Sequence, residues 1–274
     1  MIYREAYEKG KSIIVSAEPE QDTLILLEYV MGTDRNDLFL HPDREIDPAS
    51  QKRFFEFIER RNTGEPVQYI TGRTFFYGLE FKCRKGVLIP RFDTEILVEE
   101  VLKKVKEGSR VLDMCTGTGC IALSIKNMRK DLDVAGSDID DTALETAMEN
   151  RDNLSLDVNF VKSNLFENIE GKFDCLVSNP PYIERNVIKS LESTVKDFEP
   201  ERALDGGEDG LDFYRKIIKD AKEYLNENAF IFFEIGYDQG KSVPDILSEN
   251  GYKDIKVIKD LNGLDRVVHA VFGG

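Results

Sequence analysis

From residue 93 onward the apolar pattern switches period repeatedly, and this alternation constrains the fold more than any other feature of the chain. Three- and four-residue spacing reads as helix over 94–105, 120–128, 141–151, 211–225 and 241–249. Short apolar runs between and around them read as strands at 110–114, 133–137, 158–161, 173–178, 229–234, 254–258 and 266–272. Such alternation specifies a doubly wound, mostly parallel α/β sheet with helices on both faces. The last two runs are joined through Leu261-Asn262-Gly263, which is expected to make an antiparallel hairpin at one edge.

The chain before residue 93 has a different texture. Helical spacing runs over 3–17, 22–31 and 48–61, the last carrying Phe54, Phe55, Phe57 and Ile58 and ending at Thr63-Gly64. Thr74-Phe75-Phe76-Tyr77, then Gly78, then Leu79-Glu80-Phe81-Lys82-Cys83 reads as a β-hairpin. The expected organisation is a small helical domain over 1–65, a hairpin connector over 66–89 and the α/β domain over 90–274. A length of 274 residues suits one catalytic-size domain with a smaller companion. Residues 184–210 show no clear period and are long for a connection, which marks a functional loop.

Charge and cysteine usage narrow the classes. With 37 basic and 52 acidic side chains the net charge is −15, and residues 86–274 hold 24 basic and 37 acidic of these. A chain so acidic gains little from phosphate counterion release, so direct nucleic-acid binding is not expected. Residues 1–6 include an acid and start no long apolar run, so no secretory signal is expected. The apolar stretch 229–233 is too short to span a membrane, and a cytoplasmic protein without membrane partners is expected. Cys83, Cys115, Cys120 and Cys175 form no C-x-x-C pair, and His41 and His269 are the only histidines. A disulfide framework and a metal site are therefore not expected, and Cys83, Cys175, His41 and His269 read as structural.

The first α/β strand ends in Asp113-Met114-Cys115-Thr116-Gly117-Thr118-Gly119-Cys120-Ile121-Ala122. A glycine turn between strand and helix lets backbone approach a ligand and aims N–H groups at it. Asp138, 19 residues past Gly119, can accept both hydroxyls of a ribose. Gly117 to Ala122 also fits G-x-G-x-x-A, so a nicotinamide dehydrogenase is one reading. Asp113 argues otherwise, because a carboxylate before the glycines repels a pyrophosphate but suits an ammonium group. S-adenosyl-L-methionine fits, with Asp113 near its ammonium and Asp138 on its ribose. The plainer reading of Asp113 is an acid stabilising the helix N-terminus.

Asn179-Pro180-Pro181-Tyr182 directly follows the strand 173–178. At roughly one in twenty per position, the tetrapeptide arises by chance about once in several hundred chains of this length. It stands where α/β sheets bind ligands, although a rigid turn is the bland alternative. An amide or exocyclic amine nitrogen is a poor nucleophile because its lone pair is delocalised. The Asn179 side-chain oxygen and the Pro180 carbonyl can each accept one of its N–H groups and favour pyramidalisation toward a methyl donor. The prolines keep the acceptors rigid, and Tyr182 can stack on the planar group.

The glycine turn, Asp138 and Asn179 to Tyr182 together resemble class I S-adenosylmethionine-dependent methyltransferases acting on nitrogen. Three further segments resemble a narrower family, the HemK/PrmC protein-(glutamine-N5) methyltransferases of peptide-chain release factors. The first is Glu65-Pro66-Val67-Gln68-Tyr69-Ile70-Thr71-Gly72 with Phe76-Tyr77-Gly78-Leu79, and the second is Leu88-Ile89-Pro90-Arg91-Phe92-Asp93-Thr94-Glu95. The third is Phe198-Glu199-Pro200, Ala203-Leu204 and Gly207-Glu208-Asp209-Gly210-Leu211. The likeness runs from about residue 60 to the end, behind a helical domain of the expected size.

The resemblance implies a methyl transfer from S-adenosyl-L-methionine, leaving S-adenosyl-L-homocysteine. The acceptor it implies is the side-chain amide of the glutamine in the Gly-Gly-Gln motif of class I release factors, with an effect on translation termination. It places Cys115, Thr116, Gly117, Thr118 and Gly119 in the cofactor turn, Asp138 on the ribose, and Arg91 and Thr94 beside the cofactor. Asn179, Pro180, Pro181 and Tyr182 would hold the glutamine, and residues 1–65 would recognise the protein substrate. Three positions depart from the family pattern. Cys115 stands where glycine is common and is expected at negative φ. Asn164 replaces a frequent Asp beside the adenine amine, and Leu165 replaces a frequent aromatic.

Two other functions use the same motifs. An adenine-N6 or other nucleic-acid methyltransferase would present the same two protons to Asn179, but it needs a basic track. The densest basic groups, Lys103-Lys104-Lys106 and Lys126-Arg129-Lys130, sit on helices whose bland reading is a solvated face. A non-catalytic cofactor-binding scaffold would have no use for an intact Asn-Pro-Pro-Tyr.

Overall fold

The computed structural model describes residues 1–273. Two compact units are present, one of residues 1–73 with 192–198 and one of residues 74–191 with the chain from 199 onward. The first holds helices α1 (Tyr3–Ile13), α2 (Pro19–Met31), α3 (Arg35–Leu40), α4 (Pro48–Asn62) and α5 (Val67–Thr71). Pro19 and Pro48 begin α2 and α4, where a missing N–H costs nothing, and Asp47 caps α4 by accepting from Ala49 N and Ser50 N. Leu26, Leu27, Phe54 and Ile58 are fully buried at the centre of this unit.

Helix α1 stops at Ile13, short of the span to residue 17 that its spacing suggests. The Asn62 side chain explains the stop: its Nδ2 donates to Ile13 O and its Oδ1 accepts from Val15 N, satisfying the groups a further turn would have used. Helices α3 and α5 are too short to show a period.

A hairpin of β1 (Arg73–Phe76) and β2 (Leu79–Lys82) follows, turning at Tyr77-Gly78 with both residues at positive φ. After a single turn of 3₁₀ helix at Phe92–Thr94 come α6 (Glu95–Lys104), β3 (Arg110–Met114), α7 (Cys120–Met128), β4 (Asp133–Asp138), α8 (Asp141–Leu154), β5 (Asn159–Lys162) and β6 (Phe173–Ser178). The segment without a period holds only short turns, α9 (Arg185–Ile188), α10 (Ser193–Lys196, grouped with the helical unit) and a 3₁₀ turn at Glu201–Ala203. The chain ends with α11 (Asp212–Asp220), β7 (Leu225–Glu234), α12 (Ser242–Glu249), β8 (Lys253–Lys259) and β9 (Asp265–Val271).

The seven strands are ordered β5-β4-β3-β6-β7-β9-β8, parallel except where β9 pairs antiparallel with β7 and β8. The C-terminal hairpin therefore lies at one edge, with β9 between β7 and β8 and β8 outermost. Central strands are apolar on both faces. Leu112, Leu176, Ile231 and Phe233 pack with Tyr214, Ile217 and Leu247 of α11 and α12, whereas Val111, Val177 and Phe232 pack with Leu97, Val101 and Leu123 of α6 and α7. Strand β7 starts at Leu225, within the span read as helix. Asn226, Glu227 and Asn228 disguise its outset, and Asn228 sits at φ +63° where the pairing with β6 shifts register.

The order reverses between β3 and β6. Chains leaving their carboxyl ends diverge, and a crevice opens there. Gly136 on β4 lets this region close-pack, because a Cβ there would stand 2.6 Å from Phe160 and 2.9 Å from Thr116 Oγ1. No helix among the described residues is long and apolar enough to cross a membrane. Gly136→Ala is expected to destabilise the protein by about 1–3 kcal/mol through overpacking, read as a lower urea midpoint with an unchanged slope. A wild-type midpoint would show that Phe160 yields freely.

Candidate functional site

A cavity of about 330 Å³ lies in the crevice, walled by Cys115 to Thr118 after β3, Asp138 to Asp140 after β4, and Asn179 and Pro181 after β6. Arg91, Thr94, Asn164 and Leu165 also face it. Eleven of the fifteen site residues selected from the sequence line it, and Asp113, Gly119, Pro180 and Tyr182 do not.

Strand β3 must reverse sharply into α7, and the turn is stitched to the neighbouring strand. Thr116 N donates to Ser137 O at 2.9 Å, Gly119 N to Thr116 O at 2.8 Å, and Gly117 N to Asp138 Oδ2 at 2.9 Å. Cys115 is at φ +61°, not at the negative φ expected for it. The reversal begins one residue earlier than the glycines suggest, so a non-glycine residue carries left-handed backbone there, at a cost of about 1–3 kcal/mol. Burial pushes its thiol well above the ordinary range. Gly119, also left-handed, starts α7 behind the turn and is not part of the wall. Asn150, nearly fully buried, braces the turn from below, donating to Thr118 O at 3.0 Å and accepting from Lys82 N at 2.7 Å.

Asp113 departs from its expected place near an ammonium group. It is fully buried and is not among the residues lining the cavity. Its Oδ2 accepts from Thr116 Oγ1 at 2.6 Å and from Ala122 N at 3.1 Å, so it anchors the turn and the start of α7. The other oxygen has no hydrogen-bond partner. Burial pushes this carboxyl up to about 7, against the opposing pull of those two hydrogen bonds.

Asp138 does face the cavity. Its Oδ2 holds Gly117 N and its Oδ1 holds Asp140 N at 3.0 Å, which leaves a second lone pair on each oxygen for a ligand hydroxyl. Burial raises its carboxyl, while the two N–H groups pull it down. Ser137 Oγ, buried on the wall, has no hydrogen-bond partner among the described residues. A buried hydroxyl without a partner at a cavity wall is what a polar ligand satisfies. Asn164 donates its Nδ2 to Glu167 Oε1 at 2.8 Å, so its oxygen is the atom left to accept. Leu165, at φ +52°, supplies an apolar wall beside it.

Arg91 and the buried Glu199 pair at 2.5 Å, and Arg202 and Asp140 pair at 2.7 Å. These two bridges hold residues 199–203, part of the stretch without a period, along the cavity.

Asn179 lies on the wall with its Nδ2 3.4 Å from Thr94 Oγ1, and Thr94 donates to Glu234 Oε2 at 2.6 Å. Pro181 lines the cavity as well, but Pro180 and Tyr182 do not. Tyr182 packs against the core beneath and donates its hydroxyl to Glu234 Oε1 at 3.3 Å. Its carbonyl accepts from Gln239 Nε2 at 3.0 Å. The Asn-Pro-Pro-Tyr turn is clamped from outside by backbone: a Cβ on Gly206 would stand 2.8 Å from Tyr182 Cα, and one on Gly210 2.4 Å from Tyr182 O. Glu234 and Gln239 escaped sequence reasoning. The signal was an acid closing the apolar run 229–233, with no spacing to tie it to Thr94 140 residues earlier.

Residues 5–72 match the PrmC N-terminal domain family and residues 90–197 the methyltransferase small domain family. The release factor glutamine methyltransferase of Clostridium acetobutylicum is 43% identical, with 100% of each chain covered. That of Thermodesulfovibrio yellowstonii is 42% identical over 88% of each. A solved methyltransferase from Pyrococcus furiosus, 18% identical, shares the fold over 83% of this chain and 100% of its own with a TM-score of 0.57.

Asp113→Asn keeps an oxygen for Thr116 and Ala122 but does not ionise. The folded carboxyl titrates above its ordinary value of 3.8, so its contribution to stability is full below 3.8 and is lost as pH rises through about 7. Wild-type stability relative to the variant is expected to fall across that window in urea titrations. A constant difference would show that Asp113 does not titrate there.

Proposed function

This chain belongs to the release factor glutamine methyltransferase family, and from that membership we propose that it methylates the side-chain amide nitrogen of the Gly-Gly-Gln glutamine in class I peptide-chain release factors. The observation that carries this reading is the opening of Asn179 onto the same cavity as the β3 turn and Asp138. One wall offers the Asn179 amide oxygen for an amine, and the other offers the Asp138 carboxylate and the Ser137 hydroxyl for a nucleoside.

S-adenosyl-L-methionine, the cofactor of this proposal, supplies an electrophilic methyl group on a sulfonium. Asp138 would accept from its ribose, Cys115 to Thr118 and Ser137 would lie along it with Gly119 behind them, and Asn164 with Leu165 would hold the adenine. Arg91 and Thr94 flank the same space. Asp113 supports this arrangement from behind by holding the turn.

At the acceptor, the Asn179 side-chain oxygen and the Pro180 carbonyl would each take one N–H of the glutamine amide. Two fixed acceptors orient the nitrogen and favour pyramidalisation, and positioning of this kind lowers a barrier by up to ~7–11 kcal/mol. The methylated nitrogen is acidic and loses its proton afterwards, so no strong base is required before attack. Pro181 walls the pocket, while the clamped Tyr182 keeps the turn rigid. In this proposal the helical unit recognises the protein substrate, methylation modulates translation termination, and the protein works in the cytoplasm without binding nucleic acid directly. The excess of acid in residues 86–274 would attract the basic surroundings of a loop that works against ribosomal RNA.

Incubation with S-adenosylmethionine and a release factor is expected to add one methyl to the Gly-Gly-Gln peptide, read by mass spectrometry. A Gln→Ala release factor should take up none. Equal labelling of both, or preferential labelling of nucleic acid, would overturn the assignment. Asn179→Ala should lower kcat by about 10²–10³-fold, as loss of one preorganised polar group does, with cofactor affinity kept. The rate should also fall as salt rises, and a salt-independent rate would remove the electrostatic part of the proposal.

A further inference from the structure

The hydrogen bonds behind the cavity run in one direction. Glu234 is 2% exposed, and both of its carboxylate oxygens accept: Oε2 from Thr94 Oγ1 at 2.6 Å, Oε1 from the Tyr182 hydroxyl at 3.3 Å. An ionised carboxylate has no proton to give, so the single proton of Thr94 is committed to it. Thr94 then offers only lone pairs to Asn179, and the group facing it at 3.4 Å is the amide nitrogen. Reversing the Asn179 amide would set its oxygen against a hydroxyl oxygen whose proton points elsewhere. We infer that Glu234, acting through Thr94, is a positioning residue that locks the Asn179 amide with its oxygen turned away from Thr94, toward the acceptor nitrogen.

The inference rests on the reading of Asn179 as the acceptor-site amide. It accounts for a buried acid that otherwise has no task, at the carboxyl end of the strand next to the one bearing Asn179. Register supports it: Ser178 pairs with Phe233, so the residues that follow, Asn179 and Glu234, leave adjacent strands side by side. The same carboxylate holds Tyr182 directly and Asn179 through Thr94.

The lock requires an ionised Glu234. Arg266, itself bridged to Asp93 at 3.2 Å and Asp260 at 3.1 Å, favours that form, and Asp93 opposes it. Tyr182, Tyr214 and Cys120 also face the carboxylate, and burial pushes all three well above neutrality. Burial raises the Glu234 carboxyl above the usual range. Once protonated it would donate to Thr94, whose freed proton could then hold the reversed amide. Turnover should therefore decline as pH falls through this raised value.

The test uses the full chain with S-adenosylmethionine and the release factor, comparing Thr94→Val, Thr94→Ser and Glu234→Gln, each checked for fold by circular dichroism. Thr94→Val keeps the shape and loses the hydroxyl. It should lower kcat by about 10²-fold, the scale of a misplaced catalytic group, with cofactor Kd within about threefold of wild type. Thr94→Ser restores the hydroxyl and should return kcat to within about threefold, a rescue that mere packing at this site would not give. Glu234→Gln presents an amide that can donate to Thr94, so it should lower kcat and remove the acid limb of the pH profile. Wild-type kcat in Thr94→Val, or Thr94→Ser as slow as Thr94→Val, would overturn the inference. So would an unchanged acid limb in Glu234→Gln. Failure of the wild-type enzyme to label the release factor would overturn the functional reading instead, which separates the two.

Discussion

Because β3 lies between β4 and β6, the chains leaving β3 and β6 cross to opposite faces of the sheet, and everything that forms the site depends on the gap between them. Helices α6 and α7 pack on one face and α11 and α12 on the other, in agreement with right-handed crossovers that leave β3 and β6 in opposite directions along the sheet. The glycine turn and the Asn-Pro-Pro-Tyr turn start from strand ends in register, since Met114 pairs with Ser178 and Ser178 Oγ donates to Met114 O at 2.6 Å. The two halves of the site are thus held to a common origin by main-chain hydrogen bonds, and neither depends on a flexible loop for its placement.

Buried carboxylates give this gap its electrostatic character. Asp113 and Asp138 stand behind and on the wall, Glu199 closes one side, and burial raises all three above the ordinary carboxylate range. Of the three, Glu199 alone forms an ion pair among the described residues, with Arg91. A site built this way favours a cationic ligand over an anionic one, because positive charge relieves the cost of keeping carboxylates ionised out of water. The proposed methyl donor carries a sulfonium, and losing the methyl removes that charge. The same field would thus hold the reactant more tightly than the product. It also explains why a glycine turn of this spacing need not serve a pyrophosphate.

Rigidity around Asn179 has a separate origin. Gln239 ties the Tyr182 carbonyl to Gly236 N and to Gly210 O, accepting from the former at 2.9 Å and donating to the latter at 3.2 Å. Gly206 and Gly210 let the backbone press directly on Tyr182, and Glu234 anchors its hydroxyl. Residues 183–210 therefore do more than connect β6 to α11. Ile183 N donates to Leu204 O and Gly206 N to Ile183 O, at 2.9 Å each, so the long segment returns to brace the turn from which it departs.

Much of this was legible in the sequence. Period switching identified the α/β sheet, because strands of a parallel sheet are short and apolar on both faces while the intervening helices are amphipathic. The glycine turn, Asp138 and Asn179 were legible because each needs a particular residue type at the end of a strand. What the sequence could not show were interactions whose partners are far apart in the chain. Asn62 ending α1, the polar start of β7, and the left-handed backbone of Cys115 all follow from neighbours that only the folded chain supplies. Asp113 is the clearest case. Its position at a strand end suits either a ligand or a helix terminus, and burial decides for the helix terminus. The sequence by itself determined the class of sheet, the elements that build the cavity and the residue types at its two strand-end turns. Tertiary structure alone decided which side chains face the cavity and which brace it from behind, because hydrogen-bond direction between Glu234, Thr94 and Asn179 exists only once three distant segments meet.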